Sequence, residues 1–242
     1  MRVMRLGREV DYQEAWALQR RLHDEVAAGG EDALLLLEHA SVYTAGTSTQ
    51  DSDLPTDGSP VVHVDRGGRI TWHGPGQLVA YPIVAIGELG VVDWVRRLEQ
   101  AILDTLQPLG LEVERVRGRA GVWLRGEGSP ILGGHRSRDR KIAQVGVRVA
   151  GGVSTHGIAI NVAPDLAEFS RIVPCGITDA GVTSIAVERG SAPSVEEIGD
   201  AFAAALLALG VAAVAGAVPA PASALSSAPV PVPAPASMEV AA

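Results

Sequence analysis

The chain is poor in the residues that build disulfides, aromatic cores and lysine-rich surfaces. A single cysteine, Cys175, stands among 242 residues. That count excludes an internal disulfide framework and a cysteine-based zinc site, and a lone thiol suits a reducing compartment. Aromatic residues make up 4% of the chain, so the core must come from Val, Leu, Ile and Ala. Acidic residues outnumber basic ones and the formal net charge is −8, which argues against a general nucleic-acid binder. Long apolar runs are also scarce. Ala201 to Val218 is uncharged, but it is mostly alanine, contains Gly210 and Gly216 and runs into a proline-rich tail. It predicts a closing helix from about Ser194 to Leu209 rather than a membrane span. Met1 to Asp11 carries Arg2, Arg5, Arg8 and Glu9 with no apolar core of a signal peptide behind it. The expectation is a soluble, cytoplasmic protein.

Lysine is the scarcest of the common residues. Lys141 is the one lysine, beside nineteen arginines. A site that keeps lysine in such a chain is a candidate for a task arginine cannot perform. Arginine does not release its proton in a protein, whereas lysine does when its surroundings lower its pKa. Chance survival on a solvated strand edge is the bland alternative.

What is present predicts one sizeable domain over residues 1–215, since 47% of the chain is apolar and 20% charged. Residues 216–242 hold six prolines, nine alanines and one charge, and read as a disordered tail. Asp11 to Ala28 reads as a helix with Trp16, Leu22 and Val26 on one face, ended by Gly29-Gly30. Ala33 to Glu38 suits a buried strand, and Gly46 to Pro60 a surface loop. Val61 to Asp65 and Leu78 to Val84 read as strands, and Val92 to Leu109 as a second amphipathic helix stopped by Gly110. Leu111 to Val116, Gly121 to Arg125, Lys141 to Val149 and Ile158 to Val162 read as strands, with a glycine-rich connection at Gly126 to Gly134 and a helical turn at Asp165 to Phe169. This order implies an α+β or α/β domain, helices packed on a mixed sheet.

Three segments carry candidate chemistry. Arg66-Gly67-Gly68-Arg69-Ile70-Thr71-Trp72-His73-Gly74-Pro75-Gly76-Gln77 lets the backbone turn tightly and approach a ligand. It is no Walker loop, because no Gly-Lys-Ser/Thr follows. Lys141-Ile142-Ala143-Gln144-Val145-Gly146 runs toward Ser154-Thr155-His156-Gly157. Pro174-Cys175-Gly176 sets the thiol in a turn, where it is more accessible than the usual buried cysteine. In this order, and with the Gly121-Val122-Trp123 strand, the segments resemble the lipoyl(octanoyl) transferase family over roughly residues 30 to 190. The resemblance implies a fold similar to the catalytic domain of biotin and lipoate protein ligases. It also implies transfer of an octanoyl group from octanoyl-acyl carrier protein to a lysine of an acceptor protein, the first step of endogenous protein lipoylation. The implied acceptors are lipoyl domains of 2-oxoacid dehydrogenase complexes and the glycine cleavage H protein. No cofactor, metal, nucleic acid or membrane is implied.

Carried over by position, Cys175 is similar to the family's acyl-thioester nucleophile and Lys141 to the residue that activates it. Arg66 to His73 (Arg66, Gly67, Gly68, Arg69, Ile70, Thr71, Trp72, His73), Ala143, Gln144 and Val145, and His156, Gly157 and Ile158 resemble its substrate-binding stretches. Trp72 stands where many relatives have Tyr, and Gln144 where a small residue is common.

The chemistry of the groups reaches the same lysine. At a reference pKa of ~8.5 about 3% of a thiol is ionised at pH 7, and a nearby ammonium raises that fraction. The incoming amine is harder. At pKa ~10.4 it is neutral about once in 2,500 at pH 7, equivalent to roughly 4–5 kcal/mol. A base must therefore take its proton, and neutral Lys141 can do so where arginine cannot. His73 and His156 fit pocket lining or proton transfer. From Arg115 to Arg148 the sequence has a net +7 against −15 elsewhere, a local charge suited to acidic partners. An ATP-dependent ligase and a non-catalytic acyl-protein binding module are the competing readings.

Overall fold

The computed structural model describes residues 1–126, 139–173 and 180–210. The predicted tail and all but the first residue of the predicted 126–134 connection lie outside them. In chain order the elements are β1 (Arg2–Val10), α1 (Tyr12–Ala27), β2 (Ala33–His39), β3 (Val42–Ala45), β4 (Val61–His63) and β5 (Thr71–His73). Then come β6 (Gln77–Ile83), α2 (Val91–Leu106), β7 (Val113–Val116), β8 (Arg119–Leu124), β9 (Arg140–Ala150) and β10 (Val153–Asn161). A 3-10 segment (Leu166–Arg171), β11 (Gly181–Val182), α3 (Ile185–Arg189) and α4 (Val195–Ala208) close the chain.

The main sheet runs β1-β2-β6-β10-β9-β8-β7, with β11 paired to β9. The β1–β2 and β11–β9 pairs are parallel and the others antiparallel, which makes it the expected mixed sheet. Helices cover both faces. On β2, Leu34 and Leu36 pack in the core that holds Leu98, Ile102 and Phe202 of α2 and α4. Ala33, Leu35 and Leu37 pack with Ala15, Leu22 and Val26 of α1. A strand buried on both faces needs no polar alternation, which is why β2 reads as an unbroken apolar run. Among the described residues no helix is long and apolar enough to cross a membrane.

The predicted helices form where their end signals stand. Asp11 caps α1 by accepting from the Glu14 N–H at 3.0 Å. Its buried positions are Tyr12, Ala15, Gln19, Leu22 and Val26; Trp16 is only half-buried, at the edge of that face. Ser194 and Glu197 form a capping box at α4. After α2, a 3-10 turn (Gln107–Leu109) ends at Gly110 with φ 79°.

Three departures have physical causes. Met1 to Asp11 forms β1, an edge strand whose charged, largely exposed residues give no apolar alternation. β10 begins at Val153, ahead of the predicted start at Ile158, because Ser154-Thr155-His156-Gly157 hides a strand in polar residues and glycine. β3, β4 and β5 make a separate three-stranded sheet. This sheet shares a small core of Tyr43, Ile70, Trp72, Phe169 and Ile172 with the 3-10 segment.

Candidate functional site

Lys141 lies in the wall of a cavity of about 240 Å³ between the glycine-rich loop, β9 and β10. Its side chain is buried, 5% exposed, and Nζ sits 5.0 Å from the centroid of the Trp123 ring, a cation–π contact. Trp123 is its direct cross-strand partner on β8. Room for the stem comes from Gly121. A Cβ there would lie 2.8 Å from Lys141 Cε and 2.4 Å from the Ala143 carbonyl oxygen, and its φ is +107°. The buried Glu99 of α2 fixes this turn by accepting the Gly121 N–H at 2.9 Å. The glycine of Gly121-Val122-Trp123 is thus where the site's lysine passes.

A register shift puts a second β9 residue on the face of Lys141. Val122 pairs with Ala143 but Trp123 with Lys141, so Ile142 is the extra residue of a bulge. Ile142 and Ala143 both enter the α2–α4 core. Gln144, three residues beyond Lys141, therefore shares its cavity, where an unbroken strand would turn it to the opposite face.

His156 reaches the cavity by forced backbone. Its φ of 57° is left-handed for a non-glycine residue, a cost of about 1–3 kcal/mol. It carries the ring away from the face used by Ser154, which accepts from Trp94 of α2, and toward Trp16 of α1. Two bonds hold it there. Gln19 accepts the His156 N–H at 2.8 Å, and Nε2 donates to Asp65 at 2.8 Å. The Asp65 carboxylate also pairs with Arg148. Burial raises its pKa, but the His156 bond and charge and Arg148 outweigh that and leave it below the ordinary value. Burial holds the His156 pKa below its ordinary value despite Asp65, so the ring is neutral with its proton on Nε2. The next residue must be glycine, because a Cβ at Gly157 would lie 2.2 Å from the Ala80 carbonyl oxygen.

A neutral aromatic network backs the cavity. His39 Nδ1 faces the Val10 carbonyl at 2.9 Å, so that nitrogen donates and Nε2 accepts from the Tyr81 hydroxyl at 2.8 Å. Tyr81 in turn bonds Tyr12. His73 donates through Nδ1 to Gln77 Oε1 at 2.8 Å. Burial lowers His39 to about 4 and His73 to about 3, and raises Tyr12 to about 12. Four basic side chains line this wall, Lys141, Arg66, Arg69 and Arg119, and the buried Arg66 guanidinium donates to the Thr44, Gly67 and Arg69 carbonyls.

Of the predicted site residues, Arg66, Gly68, Arg69, Thr71, His73, Lys141, Gln144, Val145, His156, Gly157 and Ile158 line this cavity. Gly67, Ile70, Trp72 and Ala143 do not. Gly67 donates to the Val147 carbonyl, Ile70 lies in the small core and Ala143 in the main one. Trp72 is turned by strand alternation to the other face of β5. There it packs edge-on against Phe169 and lines a larger cavity of about 980 Å³. Tyr12, Tyr81, Arg119 and Ala159 join the wall without any motif to announce them.

Cys175 lies outside the described residues. Described residues on either side of it are held by backbone bonds. Val173 donates to the Asp53 carbonyl at 3.1 Å, and Val182 pairs directly with Lys141, whose carbonyl accepts from Thr183 at 2.9 Å. Among the described residues no three His, Cys, Asp or Glu side chains converge as metal ligands would. Among the described residues of the +7 stretch, Arg115, Arg125, Arg140 and Arg148 pair with Glu99, Glu114, Glu188 and Asp65.

Comparison with known proteins shows the family. The family model of the Lipoyl protein ligase A/B catalytic domain matches residues 11–207. An octanoyltransferase of Mycobacterium sp. (strain KMS) is 55% identical over 203 residues, 84% of this chain and 82% of that protein. The fold is that of a Thermoplasma acidophilum bipartite lipoate protein ligase, with TM-score 0.67 and 17% identity over 84% of this chain and 81% of that one. It is also close to the biotin protein ligase of Aquifex aeolicus, with TM-score 0.52 and 15% identity over 86% and 69%. The chain therefore belongs to the Lipoyl protein ligase A/B catalytic domain family, among its lipoyl(octanoyl) transferases, and is an acyltransferase.

Proposed function

We propose that this enzyme moves an octanoyl group from octanoyl-acyl carrier protein to a lysine of a lipoyl domain, through a thioester on Cys175. The carrying observation is Lys141, the chain's one lysine, buried in a shaped cavity and paired through the backbone with the strand that follows the Cys175 segment. In the first half-reaction the Cys175 thiolate attacks the donor carbonyl, the carbon–sulfur bond to the carrier breaks, and the carrier leaves as its thiolate. Exchange of one thioester for another is nearly neutral in free energy, so no ATP is consumed. In the second, the acceptor amine attacks, its proton passes to neutral Lys141, and the Cys175 thiolate leaves as the amide forms. Trp123 and Gly121 fix where Nζ can sit. The neutral histidines and tyrosines supply polarity without competing charge.

Intact mass tests this directly. Octanoyl carrier protein, without ATP or acceptor, should add one octanoyl group that hydroxylamine removes and that Cys175→Ala abolishes. Acylation that needs ATP and free acid, and survives in Cys175→Ser, would instead mark a ligase.

A further inference from the structure

The wall of the Lys141 cavity contains more hydrogen-bonding capacity than the protein uses. Among the described residues, three buried polar atoms on three of its strands have no partner: Thr71 Oγ1, Gln144 Oε1 and His156 Nδ1. With Nε2–H engaged by Asp65, Nδ1 of neutral His156 can only accept. An amide oxygen likewise only accepts. Buried groups of this kind are ordinarily satisfied, and each one left alone is destabilising. Three around one cavity point to a ligand that completes them.

The acyl group cannot complete the two acceptors, Gln144 Oε1 and His156 Nδ1. A hydrocarbon chain offers nothing, and a thioester carbonyl is itself an acceptor. Acceptors in the wall require an N–H. Two participants in the proposed reaction carry one: a pantetheine-type arm through its secondary amides, and the acceptor lysine through its amine. Gln144 is the best placed of the three atoms' owners, because the bulge at Ile142 sets it on the face of Lys141.

We infer that Gln144 determines substrate specificity at the transfer site, its carboxamide accepting a hydrogen bond from a substrate N–H. The inference rests on the acyl-enzyme reading above and adds to it a group that selects the arm or the amine over the acyl chain.

Gln144→Met tests it, because the side chain keeps its length and loses its acceptor. The two half-reactions are followed separately at single turnover by intact mass: loading from octanoyl-pantetheine, then unloading of isolated acyl-enzyme onto a lipoyl domain. One half-reaction should slow at least tenfold while the other stays within twofold of wild type. Slow loading assigns the N–H to the arm, and slow unloading assigns it to the lysine. The unfolding midpoint should be unchanged or higher, since an unpaired buried oxygen has gone. Both rates within twofold of wild type, or both lowered together with the midpoint, would overturn the assignment. A wild-type protein that loads no acyl group would sink the acyl-enzyme reading and this inference together.

Discussion

Two cavities flank β5 and follow different rules. The larger, about 980 Å³, is anchored by satisfied groups. Glu38 accepts the Gly76 N–H at 2.7 Å and pairs with Arg8, and Trp72 donates to Ser41 at 2.9 Å. None of its lining side chains has a buried unpartnered polar atom among the described residues. The smaller holds a buried lysine, a left-handed histidine and three such atoms. Volume points to one side of the strand and chemistry to the other. Unsatisfied groups and forced backbone persist where a function requires them, which supports the smaller cavity as the proposed transfer site.

The sharpest way to break this contrast is Lys141→Arg. The charge and much of the stem remain, but the guanidinium cannot take a proton from the incoming amine. Transfer to the acceptor should fall about 100-fold or more, the usual contribution of a positioned base, with far-UV circular dichroism unchanged. Loading of Cys175 should suffer less, because the proposed mechanism needs only a positive charge there to favour the thiolate. Near-normal transfer in steady-state assays would remove Lys141 from the chemistry.

Gly121→Ala comes next, as a packing test of the same cavity. The added methyl meets a backbone carbonyl and the lysine stem at once. A loss of about 1–3 kcal/mol is expected from overpacking, read from the denaturant midpoint, together with slower transfer. Gly118→Ala is the matched control. Its φ of +79° is similarly left-handed, yet nothing lies within 4 Å of the new Cβ, so it isolates backbone strain from collision. Equal effects of the two variants would show that Gly121 matters for its φ alone.

Much of this fold is legible in the sequence alone. Helix ends follow local signals such as Asp11, Ser194 and Gly110, and β2 follows from an apolar run, so those elements can be read residue by residue. Lys141 can be found because scarcity marks it. The cavity's other walls cannot. Tyr12 and Tyr81 are ordinary residues in their own elements and meet only when α1 packs across β6. The bulge at Ile142 and the left-handed His156 each reverse a side chain against the parity that alternation predicts. Trp72 shows the complementary failure. A motif read as one contiguous stretch is split by strand alternation, with Thr71 and His73 on one face and Trp72 on the other.

The buried histidines yield a smaller, pH-dependent effect. Unfolded, His39 and His73 take protons near the ordinary value of ~6.5; folded, burial holds them to about 4 and about 3. Below a pH of about 6.5 the unfolded state binds more protons, so stability falls as pH falls, progressively down to the two folded values. Denaturant midpoints should therefore decline from neutral pH to about pH 4.5. His39→Asn should flatten the decline by up to one proton, since its amide cannot titrate. An unchanged slope would mean that the ring titrates normally in the folded protein.

The smallest effect concerns the larger cavity and decides whether it is separate from the chemistry. Ser41→Ala removes the acceptor of the Trp72 indole N–H while leaving the ring packed on Phe169. One part-buried hydrogen bond is worth about 0.5–1.5 kcal/mol, so the unfolding midpoint should drop by a few degrees for a domain of this size. Transfer should stay within twofold of wild type, because β5 is also held by pairing with β3 and by the bond from His73 to Gln77. A tenfold loss of transfer would mean that Trp72 communicates through the strand to Thr71 and His73. The two cavities would then act as one site, and their different construction would lose its functional meaning.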